Sequence, residues 1–544
     1  MGNLEAKTHW NSQSLVHLIG GGIGSLSAAA FLIRDAGLNG TQIKIYEQLQ
    51  IVGGSMDGAS SPTVDGYVTR GGRMLEDEAY VCLWNLMESI PTLDDPNLSV
   101  RQEIIDFNKI VIPYAKARII DHQHQIVDSA DLEFDTQDRV ELARLVALPE
   151  RIIGARRIED FFSEHFFQTN FWVMWCSMFA FQPWHSAIEM KRYLLRFMQE
   201  VPRIHTLAGV RRTKYNQYDS IILPLQKWLQ SQGVQFDYDV VIHDVDFVEK
   251  PQGRFISALH LTERKREYTI SLGEQDYAFI TLGSMTSDAT YGSDDKAPEL
   301  LREPRDGGFK LWQSIASKAK DFGRPNTFCG NIDESKWESF TLTMNGSSLL
   351  KRIVDFSGNE PGTGGLMTFK DSPWMMSIVV PHAPHFRNQP KDVYTLWGYG
   401  LFIDEKGQYV NKKMSECTGQ EILTELLGQL DFDDVDGEIR RTTRVTPVMM
   451  PYITSQFQRR EVQDRPLVLP AEARNFAFLG QYVEIPEDVV FTVEYSVRSA
   501  MHAVYELFGV DLPIPPIYHA LEHPVVAFKS LHTIMTGKAD WDAR

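Results

Sequence analysis

The sequence predicts an α/β fold built on a parallel sheet, and three observations predict it. Val16 to Ile19 is a short apolar run, the length of a buried strand rather than of a helix. Gly20, Gly21, Gly22 and Gly24 follow at once, and Leu26, Ala28 to Ala30 and Leu32 then carry a helical pattern to Gly37, a residue suited to ending a helix. A second strand, Ile43 to Glu47, ends in an acid. Strand, glycine turn, helix and strand in this order form the opening unit of a Rossmann-type sheet.

Each element has a chemical reading. The spacing Gly20-x-Gly22-x-x-Ser25 fits the dinucleotide fingerprint, with Ser in place of the third glycine. Gly20 allows the tight turn, and Gly22 lets the backbone approach a pyrophosphate. Ile23, Gly24 and Ser25 open a helix whose free N–H groups and positive dipole end face that anion. Glu47 stands where an acid binds ribose hydroxyls. The alternative is a Gly-rich turn in an unrelated α/β protein. A second glycine pair, Gly53-Gly54-Ser55, follows six residues after Glu47. NAD domains do not need one. FAD proteins of the glutathione-reductase type use it where the longer cofactor runs toward its isoalloxazine, so the expected cofactor is FAD.

Composition bounds the rest. At 544 residues the chain is too long for one simple core, and two or three domains are expected. Apolar content of 43% and charged content of 23% are ordinary for a soluble globular protein. The net charge of −18, from 54 Lys and Arg against 72 Asp and Glu, argues against general nucleic-acid binding. Cys82, Cys176, Cys329 and Cys417 are far apart with no CxxC pair, so reduced thiols in a cytoplasmic protein are expected, without zinc site or disulfide framework. The N-terminal MGNLEAKTHWNSQ has no apolar signal core, and Ala6 sits where a myristoylation signal places Ser or Thr. The most apolar stretch, Phe171 to Phe181, is well short of the ~20 residues that span a bilayer. Contact with a membrane is expected to be peripheral at most.

Along the chain, a Gly-, Ser- and Pro-rich loop leads to Arg70-Gly71-Gly72-Arg73. A glycine pair between arginines places backbone close to an anionic or planar ligand; a solvated surface turn is the alternative. Residues 76–200 read as mainly helical. Within them, 161–198 is dense in Phe, Trp and Met and carries no charge from Phe166 to Trp184. It is either plain core or the wall of a long apolar pocket, which flexible thioethers suit. Residues 233–244 read as a strand pair returning to the nucleotide unit, with an adenine contact near Ile242. A buried strand over 276–282 ends in Gly283-Ser284 against the cofactor, and sheet is expected again over 394–402. DFDDVDG (431–437) fails the calcium-loop spacing at Val435 and reads as a solvated acidic turn; no metal site is expected. A last strand ends at Gly480, and a helix from about Thr492 aims its N-terminus at the flavin. The expected organisation is a discontinuous FAD-binding domain (14–75, 203–300 and 470–511), a substrate domain of helices and sheet (76–202 and 301–469) and a helical tail (512–544).

Longer strings carry a family resemblance: HLIGGGIGSLSAAAFLIRDA, GGSMDGA, RGGR, CLWNLMESIPTL, FWVMWCSMFAF, WHSAIEMKRYLLRF, YNQYDSIILPL, WGYGLF, MPYITSQF and FLGQYVE. From residue 17 to about 500 the chain resembles the oleate hydratases, FAD-binding fatty-acid hydratases also known as myosin-cross-reactive antigens. The resemblance implies addition of water to the cis-9 double bond of an unsaturated fatty acid, giving a 10-hydroxy acid, with FAD required but no net redox. It implies Tyr193, in MKRYLLRF, as proton donor, and Gln217, in YNQYDS, beside the substrate. Read alone, Tyr193 is a core tyrosine with a satisfied hydroxyl.

Two departures stand out. Where the family has Glu after RGGR, this chain has Met74, which cannot activate water; Glu76, Asp77 and Glu78 are close by, and Glu76 is the candidate replacement. Where the family holds the fatty carboxylate with Thr and Asn, this chain has Val379 and Pro381. His385 remains, joined by His382, so carboxylate capture falls to these histidines or to a nearby Arg. The partners implied are an unsaturated fatty acid and water, with no nucleic acid, in a monomer or homodimer. Two other functions fit the same fold: a flavin-dependent oxidoreductase of desaturase or amine-oxidase type, and a non-catalytic fatty-acid-binding flavoprotein.

Overall fold

The structure is a computed structural model that describes residues 10–56, 66–71, 74–305 and 307–539. Gly72 and Arg73, both expected at the cofactor, lie outside the described residues, as does the loop 57–65.

Among the described residues, five parallel strands form one sheet in the order Phe476–Leu479, Tyr277–Thr281, Val16–Ile19, Ile43–Glu47, Gln235–Tyr238. The strands Val16–Ile19, Tyr277–Thr281 and Phe476–Leu479 are buried along nearly their whole length because both faces are covered. The helix Ile23–Arg34 packs on the sheet and against the helix Val493–Phe508, and its fully buried Ala28, Ala29 and Ala30 allow the close approach. Gly37, at φ +77°, turns the chain after that helix, and Leu38 N–H donates to the Leu32 carbonyl at 3.0 Å. The strand Val240–Lys250 leaves the parallel sheet and pairs in an antiparallel meander with Gly253–Glu263 and Arg266–Ser271.

The second large sheet is centred on Trp337–Asn345, flanked antiparallel by Val393–Gly400 and Thr443–Met450. The period-two alternation of a strand divides the side chains of Trp337–Asn345 between two environments. Glu338, Phe340, Leu342 and Met344 face a core formed with the helix Gly419–Gln429. Trp337, Thr341 and Thr343 face the interior space between the sheets, where the Thr341 and Thr343 hydroxyls accept from the backbone N–H of Thr69 (2.9 Å) and Tyr67 (3.0 Å).

In the chain, the helices Val81–Met87, Val100–Ile110, Thr136–Ala147, Asn170–Phe179 and Ala187–Arg196 come between the strands Ile43–Glu47 and Gln235–Tyr238. The aromatic segment plays both roles open to it. Phe171, Trp172 and Trp175 are core, and Ser177 to Ala180 form a pocket wall. In the tail, the helix Pro524–Thr536 leaves Val525, Phe528, Leu531 and Met535 exposed at 68%, 62%, 52% and 69%, at spacings that put them on one side. Among the described residues no helix is long and apolar enough to cross a membrane.

Candidate active site

A cleft opens where the carboxyl ends of the parallel strands meet helix N-termini, the usual ligand position in such sheets. Gly20, Gly22, Ile23 and Gly24 form one wall. Gly20 turns the chain at φ +91°. Gly22 precedes the helix Ile23–Arg34 at φ −74°, and a Cβ built on it meets no atom within 4 Å, because the open side of the turn is the cleft itself. Ser25 stands behind the cleft wall. It is fully buried, with its hydroxyl 3.2 Å from Thr281 Oγ1, so it ties helix to strand and does not reach the cleft.

Glu47 faces the cleft and also shapes it, since its two oxygens accept from the N–H groups of Gly21 (2.7 Å) and Leu49 (2.9 Å). The Gly53 N–H donates to the Gly21 carbonyl at 2.9 Å, tying the second glycine turn to the first, and Gly53, Gly54 and Ser55 all line the cleft. Arg70 is buried at its edge and donates to the carbonyls of Gly54 (3.2 Å) and Thr286 (3.3 Å). Ile242, Gly283, Ser284, Gly480 and Thr492 complete the enclosure. The Thr492 hydroxyl accepts from Tyr495 N–H at 3.2 Å and caps Val493–Phe508, which brings a second helix N-terminus to the cleft. Gly307 and Gly308 also line it, opening the helix Gly307–Ala316. Sequence reasoning missed them, although a glycine pair at the start of an amphipathic helix was the available signal.

Arg70, Thr492 and Val493 are shared with a second, largely apolar chamber. Gly71 borders this chamber rather than the first cleft. Tyr193, Met74 and Glu76 all reach it, beneath Trp337, Trp397 and Tyr399. The Tyr193 ring, 1% exposed, is caged by Phe179, Phe181, Phe197 and Phe457 at centroid distances of 4.9, 5.0, 5.4 and 5.6 Å. Its hydroxyl donates to the Val490 carbonyl at 2.5 Å.

Buried ion pairs hold both partners of that bond. On the helix that carries Tyr193, Arg192 pairs with Glu150 (2.7 Å) and Glu484 (2.8 Å), and Glu189 pairs with Arg460 (2.8 Å) and Arg465 (3.1 Å). Glu484 belongs to the segment that leads to Val490. Removing one member of such a pair costs about 3–5 kcal/mol, so the tyrosine is held on a rigid mount.

Met74 is partly buried and offers the chamber no ionisable group. Glu76 does, at 3% exposure. Gln199 Nε2 donates to its Oε2 at 3.3 Å, and Arg203 lies 3.5 Å from its Oε1. Burial, then the neighbouring Glu200, push the Glu76 carboxyl well above the usual carboxylate range, and Arg203 opposes them only in part. Arg203 donates to Glu200 Oε1 at 2.8 Å, which places its positive charge beside both carboxyls. The role of Glu200 was not legible in the sequence.

A third chamber adjoins the second, sharing Gly71 and Trp397 as walls, and adjoins the first, sharing Ser55 and Met56. It collects Gln217, Val379, Pro381 and His385, together with His382 and Arg212. Asn216 positions the histidine loop, donating to the His385 carbonyl from its backbone N–H (2.7 Å) and from Nδ2 (3.1 Å). Burial, then the charge of Arg212, hold the His385 imidazole down at about 4, so it is neutral near pH 7. Away from these chambers, Asp135, Asp138 and His165 bring ligand-type atoms within 4.8 Å of one another, but both carboxylates are engaged in capping the helix Thr136–Ala147.

The chain matches the MCRA family over residues 13–505. It is 37% identical over 530 residues to the oleate hydratase of Streptococcus pyogenes serotype M49 (strain NZ131), covering 94% of this chain and 89% of the relative. It is 34% identical over 537 residues to the linoleate hydratase of Lactiplantibacillus plantarum, covering 91% of this chain and 94% of that one. In fold it is similar to a solved structure of putrescine oxidase bound to putrescine, with a TM-score of 0.51, 10% identity, and coverage of 91% of this chain and 99% of that one.

Proposed function

The chain belongs to the MCRA family, and on that premise we propose that it hydrates the cis-9 double bond of oleic acid and related unsaturated fatty acids to 10-hydroxy acids, with FAD in the first cleft. The observation that carries this reading is the second chamber, where a buried phenol and a buried carboxyl border one apolar space beside the dinucleotide cleft. The glycine turns, the two helix N-termini and the open space over Gly22 fit a dinucleotide. When bound, FAD supplies shape and charge beside the chamber, since hydration involves no net redox.

Alkene hydration needs a proton donor at one carbon and a placed water at the other. Tyr193 gives its hydroxyl proton to C9, and the positive charge that develops at C10 is met by water oxygen. The Glu76–Glu200 pair orients that water and takes the proton it loses, which returns to the tyrosyl oxygen to close the cycle. The aromatic cage excludes bulk water, so the single placed water is the nucleophile that the C10 centre meets. The segments of the parallel sheet form the cofactor unit, and the seven-stranded sheet with its helices forms the substrate unit.

Mass spectrometry of oleate incubated with protein and FAD, with and without a reductant, tests the reading. The expected product is 10-hydroxystearate, a mass gain of one water. Absence of product with FAD and oleate both shown to be bound would refute it. The exposed apolar side of Pro524–Thr536 suits peripheral contact with a lipid surface that delivers the substrate. The double variant Phe528→Glu and Met535→Glu is then expected to lose liposome co-flotation, and undiminished flotation would exclude that role.

A further inference from the structure

The strand Leu75–Glu76 pairs antiparallel with Val210–Arg211, with Glu76 opposite Val210. One short ladder therefore delivers Glu76 to the second chamber and, a residue past its end, Arg212 to the third. The Arg212 backbone is clamped on both sides. Its N–H donates to Asn108 Oδ1 at 3.0 Å, and its carbonyl accepts from Asn108 Nδ2 at 2.7 Å. Its side chain is different. Among the described residues the guanidinium makes no hydrogen bond and no ion pair, and burial alone pushes it down to about 10. The buried Arg118, by contrast, spends donors on the carbonyls of Ile204 and Leu366.

An arginine turned into a chamber without an acid is costly unless an anion enters with it. The surroundings select which anion. Val379 and Trp397 are buried and apolar, and Trp397 and Gly71 also line the adjoining apolar chamber beside Tyr193. The polar groups beside Arg212 are neutral: His385, and Gln217, whose buried Oε1 has no partner. A single charge at the end of an apolar lane fits an amphiphile with one anionic head. The planar guanidinium fork fits a carboxylate, which takes two parallel N–H bonds.

We propose that Arg212 is the carboxylate clamp of the substrate site, holding the ionised head of the fatty acid bidentately with His385 as a neutral neighbour, and that it thereby selects free acids over esters and alcohols. The proposal rests on the fatty-acid reading above for the identity of the ligand. Displacement of a fluorescent fatty-acid probe from the flavin-loaded protein tests it, with oleate, methyl oleate and oleyl alcohol as competitors. In the wild type, oleate is expected to compete about 10²- to 10⁴-fold better than methyl oleate, the value of two charge-assisted bonds at about 1.5–3 kcal/mol each. Arg212→Gln is expected to weaken oleate by about that factor and to leave methyl oleate and oleyl alcohol unchanged. Arg212→Lys, which keeps the charge without the fork, is expected to fall between. Neither variant removes a side-chain bond among the described residues, and Arg212→Gln also relieves a buried charge, so neither is expected to unfold below the wild-type temperature. Undiminished preference for oleate in Arg212→Gln would overturn the proposal. The probe reads binding and not turnover. Loss of the preference therefore supports the clamp even in a protein that forms no hydroxy acid, and its retention overturns the clamp even in one that does.

Discussion

Gly22→Val separates cofactor binding from folding, because the structure predicts a large effect on one and a small effect on the other. Gly22 has φ −74° and ψ 173°, a conformation open to any L-residue, and its Cβ would meet no atom within 4 Å. The folding penalty is then the loss of a glycine N-cap, from a few tenths to about 1 kcal/mol. The neighbours are not equivalent. A Cβ on Gly21 would press on Glu47 Oε2 at 2.7 Å and Val52 Cγ1 at 2.8 Å, and Gly20 has φ +91°. At Gly22 the added methyls occupy the space through which a pyrophosphate reaches the helix N-terminus. Two lost charge-assisted hydrogen bonds at about 1.5–3 kcal/mol each amount to a 10²- to 10⁴-fold rise in Kd. The assay is flavin absorbance of the purified protein and calorimetric titration of the flavin-stripped protein with FAD, beside thermal unfolding of both stripped forms. The expected result is a colourless variant with a nearly unchanged apo melting temperature. A fully loaded yellow variant would refute the assignment of the glycine turn, and a collapsed apo melting temperature would refute the packing argument.

Two further predictions test other parts of the structure. Tyr193→Phe keeps the caged ring and loses the proton, so turnover is expected to fall ~10²-fold or more at normal flavin content. Loss of its bond to Val490 costs about 1 kcal/mol of stability, and near-wild-type turnover would remove Tyr193 from the acid role. Glu338 is fully buried, neither of its oxygens has a hydrogen-bond partner among the described residues, and burial pushes its carboxyl well above the usual range. A raised folded-state value means that its contribution is intact below the ordinary carboxyl value of about 4.5 and is lost as pH rises toward the folded value. Glu338→Gln, which cannot ionise, is therefore expected to match the wild type in melting temperature near pH 4 and to exceed it increasingly toward pH 8. A pH-independent difference would contradict a protonated Glu338.

How much of the site is legible in the sequence depends on the range over which each residue acts. Gly20, Gly22, Gly53 and Gly54 reach the cleft as expected, because a tight turn and an exposed helix N-terminus are made within a few residues. Ser25 fits the same spacing and takes the packing side of the fingerprint, because the face of the helix on which it falls meets Thr281, more than 250 residues away in the chain. Tyr193, Met74, Glu76, Gln217, Val379, Pro381 and His385 were named from a family pattern. The structure sorts them into two adjoining chambers that no local signal distinguishes.

The sequence by itself determined the strand–turn–helix opening, the closing strand and helix around Gly480 and Thr492, and the helical tail to Thr536, since periodicity and glycine placement act locally. Only the tertiary structure decided the strand order that joins residues 16, 277 and 476, because those three buried strands are alike in being mostly apolar. It also decided the carboxyl pair of Glu76 with Glu200 and, among the described residues, an Arg212 guanidinium and a Glu338 carboxyl without partners. Each of these depends on which charges are brought together or left apart when distant segments exclude water between them. That outcome is set by packing, which no single stretch of the chain encodes.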